Sequence, residues 1–137
     1  MGGFTGLKLL LDTHIILWSL ADPGKLLPEV SEALESDSSE LWLSPISVWE
    51  ILLLDEKGHI SIGANIEKSI RDIFNKIPFK EAPLNFEVAI QSRFINLPHQ
   101  DPADRFLVAT AIVYDLTLVT ADARIIAAEG LPVMSAL

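Results

Sequence analysis

The chain contains no cysteine. Disulfides, thiolate zinc sites and cysteine nucleophiles are therefore excluded. Basic residues are scarce as well: ten Lys and Arg stand against nineteen Asp and Glu, a net charge of −9. A simple basic nucleic-acid-binding module does not fit that balance, because phosphate contacts draw on Lys and Arg. An enzyme that meets phosphate through divalent cations held on acidic side chains is still compatible with it. Long apolar runs are also missing. Stretches such as Ile51 to Leu54 fall far short of the roughly 18–20 residues that cross a bilayer, so no membrane span is expected. Residues 1–6, with glycine at 2, 3 and 6, lack the basic start and apolar block of a secretory signal. They read as a flexible leader, and a cytoplasmic location is expected.

Hydrophobic residues are plentiful: they make up 50% of the chain, and the mean hydropathy is +0.37. In 137 residues that suits one domain whose sheet is buried on both faces, with an interface between subunits in addition. There are no repeats and no linker-like tracts. The apolar pattern alternates short strands with helices. Strands are expected at Lys8–Asp12, Leu41–Leu43, Leu116–Thr120 and Val133–Met134, and an extended piece at Pro78–Ala82. Helices are expected at His14–Leu20, Pro28–Ser36, Pro45–Glu56, Ala64–Lys76, Asn85–Phe94, Pro102–Asp115 and Asp122–Glu129. Such alternation predicts an α/β fold, a three-layer α/β/α sandwich around a mainly parallel sheet. In open sheets of this kind ligands bind at the carboxyl ends of the strands.

That rule draws attention to a few carboxylates. Asp12 ends the first strand and Asp122 follows the strand that closes at Thr120. Each can equally be an N-cap of the helix after it. Glu50 lies in Ser47-Val48-Trp49-Glu50, which fits a capping box. Its helical neighbours Ile46, Leu53 and Leu54 are apolar, however, and a carboxylate on such a face is costly unless it is paired or holds a metal. Asp101-Pro102 reads as an N-cap followed by the first helical residue. Asp104, one turn on, shares its face with Leu107, Val108 and Ala111, which directs it towards the packed side. Arg105, four residues after Asp101, is placed to pair with it.

Four acids on one edge of a sheet would repel one another unless a cation neutralised them. Oxygen-only ligands select hard ions, so Mg²⁺ or Mn²⁺ is the expected cofactor. Thr13, Ser47 and Thr120 are placed to hydrogen-bond the ligating carboxylates or metal-bound water. His14, His59 and His99 show no metal-ligand spacing and read as structural or exposed. Trp18, Trp42 and Trp49 sit among apolar residues and read as core or interface.

The ordered blocks Leu9-Leu10-Leu11-Asp12-Thr13-His14, Ser44-Pro45-Ile46-Ser47-Val48-Trp49-Glu50-Ile51, Leu97-Pro98-His99-Gln100-Asp101-Pro102-Ala103-Asp104-Arg105 and Leu118-Val119-Thr120-Ala121-Asp122 resemble the successive motifs of a PIN domain, in particular VapC-like toxins of type II toxin–antitoxin modules. The resemblance implies a metal-dependent endoribonuclease, with Asp12, Glu50, Asp104 and Asp122 as the catalytic, metal-holding acids and Asp101 as an accessory. It further implies an RNA substrate, a homodimer and a cognate VapB-like antitoxin. Leu54 and Ala103 depart from the pattern, since relatives often carry Lys and an aromatic residue there. Two other readings remain open. One is a phosphoryl-aspartate phosphatase or receiver-like domain, although the second acid such sites need near Asp12 is His14 here. The other is a non-catalytic PIN-like interaction domain.

Overall fold

A computed structural model describes residues 6–137; all but the last residue of the expected leader lie outside them. Five strands, β1 (Lys8–Leu11), β2 (Glu40–Leu43), β3 (Lys80–Glu81), β4 (Thr117–Thr120) and β5 (Val133–Ser135), form one sheet in the order β3-β2-β1-β4-β5. Every neighbouring pair is parallel. The α/β sandwich expected from the sequence is therefore present, and its sheet is wholly parallel. The order reverses at β1, which pairs with β2 on one side and β4 on the other. A crevice opens at such a reversal, beyond the carboxyl ends of the two strands that flank it.

Side chains on a strand alternate between faces, and the core divides accordingly. Leu9 and Leu11 of β1 join Ile15, Ile16, Val30, Ile51 and Ile70 on one face, under α1 (Thr13–Ala21), α2 (Pro28–Glu35), α3 (Pro45–Glu56) and α4 (Ile66–Lys76). Leu10, between them, joins Leu107, Val108, Ala111 and Ile125 on the other, under α6 (Pro102–Val113) and α7 (Ala123–Ala127). Leu9, Leu10, Leu107 and Leu118 are fully buried. A run of three leucines suits a strand covered on both faces.

Several helices stop short of the boundaries that periodicity suggests. α4 begins at Ile66 rather than Ala64, because the Asn65 side chain caps it by accepting from Lys68 N at 3.1 Å. α5 (Phe86–Gln91) ends before Phe94. Beyond Ser92 the amides bond three residues back, Arg93 N to Ile90 O at 3.2 Å and Phe94 N to Gln91 O at 3.0 Å, so the chain tightens out of the α-helical pattern. α7 ends at Ala127, with Ala128 extended and Gly130 at φ +79°, a conformation that suits glycine.

Candidate metal centre

Asp12 sits at the carboxyl end of β1, 7% exposed, and opens α1. Its Oδ1 accepts from Thr13 N at 2.6 Å, and its Oδ2 from Thr120 Oγ1 at 2.7 Å. Thr120 ends β4, and its hydroxyl in turn accepts from Asp122 N at 3.1 Å. Thr13 turns the other way, donating through Oγ1 to Glu50 Oε1 at 2.7 Å. Two threonines next to strand ends thus tie Asp12 to Glu50 and to the loop carrying Asp122. The expected supporting role of Thr13 and Thr120 has a concrete geometry.

The opposite wall comes from α6 and the loop before it. Asp104, in the first turn of α6, faces His99, whose Nε2 lies 2.9 Å from Asp104 Oδ2. Against a carboxylate, that nitrogen carries the proton and donates. Among the described residues, His99, Asp104 and Asp122 form the group of three whose ligand atoms all lie within 4.8 Å of one another. The reading of His99 as structural or exposed is corrected here, since its side chain is only 14% exposed and bonded to the acid cluster. The signal was its place in the short loop leading into α6, and spacing rules for histidine pairs do not detect it.

Arg105 is corrected too. Among the described residues no carboxylate lies within ion-pair distance of it, and Asp101 is not its partner. It is 4% exposed and its guanidinium donates to the carbonyls of Ser92 (2.9 Å), Leu97 (2.6 Å), His99 (3.2 Å) and Ile95 (3.5 Å). The planar fork of arginine is suited to several acceptors at once. Arg105 therefore pins the 92–99 segment that carries His99. Asp101 is exposed and caps α6, accepting from Ala103 N at 3.0 Å and Asp104 N at 3.3 Å.

Glu50 does not close a capping box with Ser47. The N-cap of α3 is Ser44, whose hydroxyl accepts from Ile46 N at 3.1 Å. Ser47 Oγ is buried without a hydrogen-bond partner among the described residues, as is His99 Nδ1. Arg124 is a residue that the motifs did not single out. It donates to Asp122 Oδ2 at 3.0 Å and reaches Asp104 Oδ2 at 3.5 Å.

The electrostatics of the cluster are strained. Burial raises the pKa of Asp12 above the ordinary value, against the hydrogen bonds from Thr120 and Thr13. Burial raises Glu50 also, and the charges of Asp12, Asp104 and Asp101 push the same way. Asp104 is raised by burial first, with Asp101, Asp12 and Asp122 adding to it. Only Asp122 is lowered, chiefly by its hydrogen bond from Arg124. Three carboxylates whose charged forms are disfavoured by burial, one of them bonded to His99, fit a hard divalent cation.

A family model described as "PIN domain" matches residues 9–131. The chain belongs to the PIN domain family. Within it, the chain is 29% identical over 120 residues to Ribonuclease VapC22 of Mycobacterium tuberculosis (strain ATCC 25618 / H37Rv), across 85% of this chain and 88% of that relative. The fold of this PIN domain is similar to the VapBC2 complex of Rickettsia felis bound to a promoter DNA fragment (TM-score 0.71, 15% identity, 94% of this chain and 98% of that one). It is similar to the DNA-bound VapBC of Salmonella typhimurium (TM-score 0.71, 17% identity, 96% and 99%). It also resembles FitAcB of Neisseria gonorrhoeae (TM-score 0.62, 21% identity, 93% and 96%).

Proposed function

We propose that this PIN domain is a Mg²⁺- or Mn²⁺-dependent endoribonuclease, the toxin of a VapBC-like pair, acting in the cytoplasm. The observation that carries the reading is Asp12: a nearly buried carboxylate at the strand-order reversal, costly as an anion, with Glu50, Asp104 and Asp122 around it. Similarity to a protein named as a ribonuclease supports the choice of RNA, and the VapBC and FitAB likenesses support a VapB-like antitoxin as partner. No helix among the described residues is long and apolar enough to cross a membrane.

Asp12, Glu50, Asp104 and Asp122 would hold the ion. Bound there, it supplies positive charge against a phosphodiester and lowers the pKa of water. The chain's own part is orientation. Thr120 and Thr13 fix the rotamers of Asp12 and Glu50, and His99 fixes that of Asp104. Burial of Asp12 keeps solvent from screening the cluster. Asp101 acts on Asp104 through the end of α6 rather than as a ligand.

A homodimer is part of the same reading. Phe86, Ile90 and Phe94 follow one another every fourth residue along α5 and the turn after it, and are 90%, 53% and 78% exposed. A stripe of large exposed apolar side chains along one helix and the turn after it marks a contact face.

Asp12→Asn tests the function. Its carboxamide keeps the shape and loses the charge, so purified protein should lose RNA cleavage in Mg²⁺ while keeping its circular dichroism. Cleavage at the wild-type rate would sink the mechanism.

A further inference from the structure

One exposed side chain at this site bridges its acids. Arg124 is the second residue of the five-residue α7. Its guanidinium turns back towards the acid cluster. Nη2 lies 3.0 Å from Asp122 Oδ2, Nε 3.3 Å from Asp122 Oδ1, and Nη2 3.5 Å from Asp104 Oδ2. Asp104 belongs to α6 and Asp122 to the β4–α7 junction, so a single cation links acids from two elements. These are the carboxylates that, with His99, converge within 4.8 Å. An ion bound to them would need the same oxygens.

We propose that Arg124 is a displaceable internal counter-cation: it neutralises Asp104 and Asp122 in the metal-free chain and is exchanged for the divalent ion when that ion binds. The proposal rests on the metal reading of the site. The geometry favours exchange over a permanent bridge for two reasons. The Arg124 side chain is 59% exposed, so water takes over its hydrogen bonds on release, and exposed ion pairs are weak. Asp12, by contrast, is buried and held by the Thr120 hydroxyl and the Thr13 backbone N–H, not by Arg124. The deep wall of the site is thus fixed, and only the outer wall is latched. An empty site of four carboxylates would otherwise repel itself open. The latch keeps Asp104 and Asp122 in register and sets the ion concentration at which the site fills.

The chain has four arginines, at 71, 93, 105 and 124, so the Nε–H signal of Arg124 can be assigned by NMR from its loss in Arg124→Lys. In EDTA that signal should be protected from exchange. On addition of Mg²⁺ it should shift and lose protection, while that of buried Arg105 stays. In parallel, Mn²⁺ binding without RNA, followed by loss of the free-ion EPR signal, should tighten ~2–5-fold in Arg124→Ala, the scale of an exposed ion pair released. Arg71→Ala, which removes the same charge from α4, should leave it unchanged. An Arg124 signal indifferent to Mg²⁺, or Mn²⁺ binding that is unchanged or weaker in Arg124→Ala, overturns the counter-cation and leaves the metal reading standing. If neither wild type nor Arg124→Ala binds Mn²⁺, the metal reading itself falls.

Discussion

At the residue scale, the site stores instability that a ligand relieves. Asp12, Glu50 and Asp104 have folded-state pKa values above their ordinary ones. Stability from such a group is fully present below its unfolded pKa and is lost as pH rises through the folded value. At neutral pH in EDTA, Glu50→Gln should therefore be more stable than wild type, read as a higher Tm. The difference should shrink as pH falls from neutrality into the raised range, where wild-type Glu50 takes up its proton. Calorimetry across that window checks the sign. Asp122 runs opposite, because Arg124 lowers it: its contribution is present above the usual carboxylate pKa and lost only on stronger acidification. Arg105 makes the sharper mutation. Arg105→Ala strands several buried carbonyls and should cost roughly 3–5 kcal/mol in urea unfolding. Lysine at 105, lacking the fork, should recover only part of it. The four acids were legible in the sequence because strand ends and apolar helix faces mark them. His99 and Arg124 were not, since their roles arise from loops meeting in space.

At the scale of elements, helix capping and the proposed metal-holding role fall on the same residues. Asp12, Asp101 and Asp122 all cap helices, so the two readings of Asp12 and Asp122 were never exclusive. Asp101 separates them. Asp101→Asn, which still caps, should leave stability nearly unchanged, whereas Asp101→Ala should cost about 1 kcal/mol; chemical denaturation of the pair distinguishes a cap from a charge. Strand positions were readable because leucine runs and turn residues bracket them. Helix ends were less so. α5 stops where Arg93 N and Phe94 N bond three residues back instead of four, a tightening that apolar spacing does not announce. The Pro45–Glu56 helix was read correctly and the capping-box alternative at Ser47 is not realised: Ser44, just before Pro45, is the cap, and proline at the first helical position has no N–H to satisfy.

At the scale of the molecule, charge and apolar surface divide the labour. With a net charge of −9, the chain repels RNA, so binding should be negligible in EDTA and appear with Mg²⁺; a filter-binding titration with Asp12→Asn, which does not cut, measures this. The stripe of Phe86, Ile90 and Phe94 should carry self-association. Phe94→Asp, at an exposed position, should give a monomer in sedimentation with an unchanged Tm, and a persistent dimer would move the interface elsewhere. The edge of the sheet adds a constraint on any such assembly. β3 is a two-residue strand, Lys80 and Glu81, both exposed and bracketed by Pro78 and Pro83. A charged stub between prolines offers little template for a foreign strand. At this edge, crowded copies of the chain are thereby protected from zipping together through their backbones, and recognition there is left to side chains, where it can be specific and reversible.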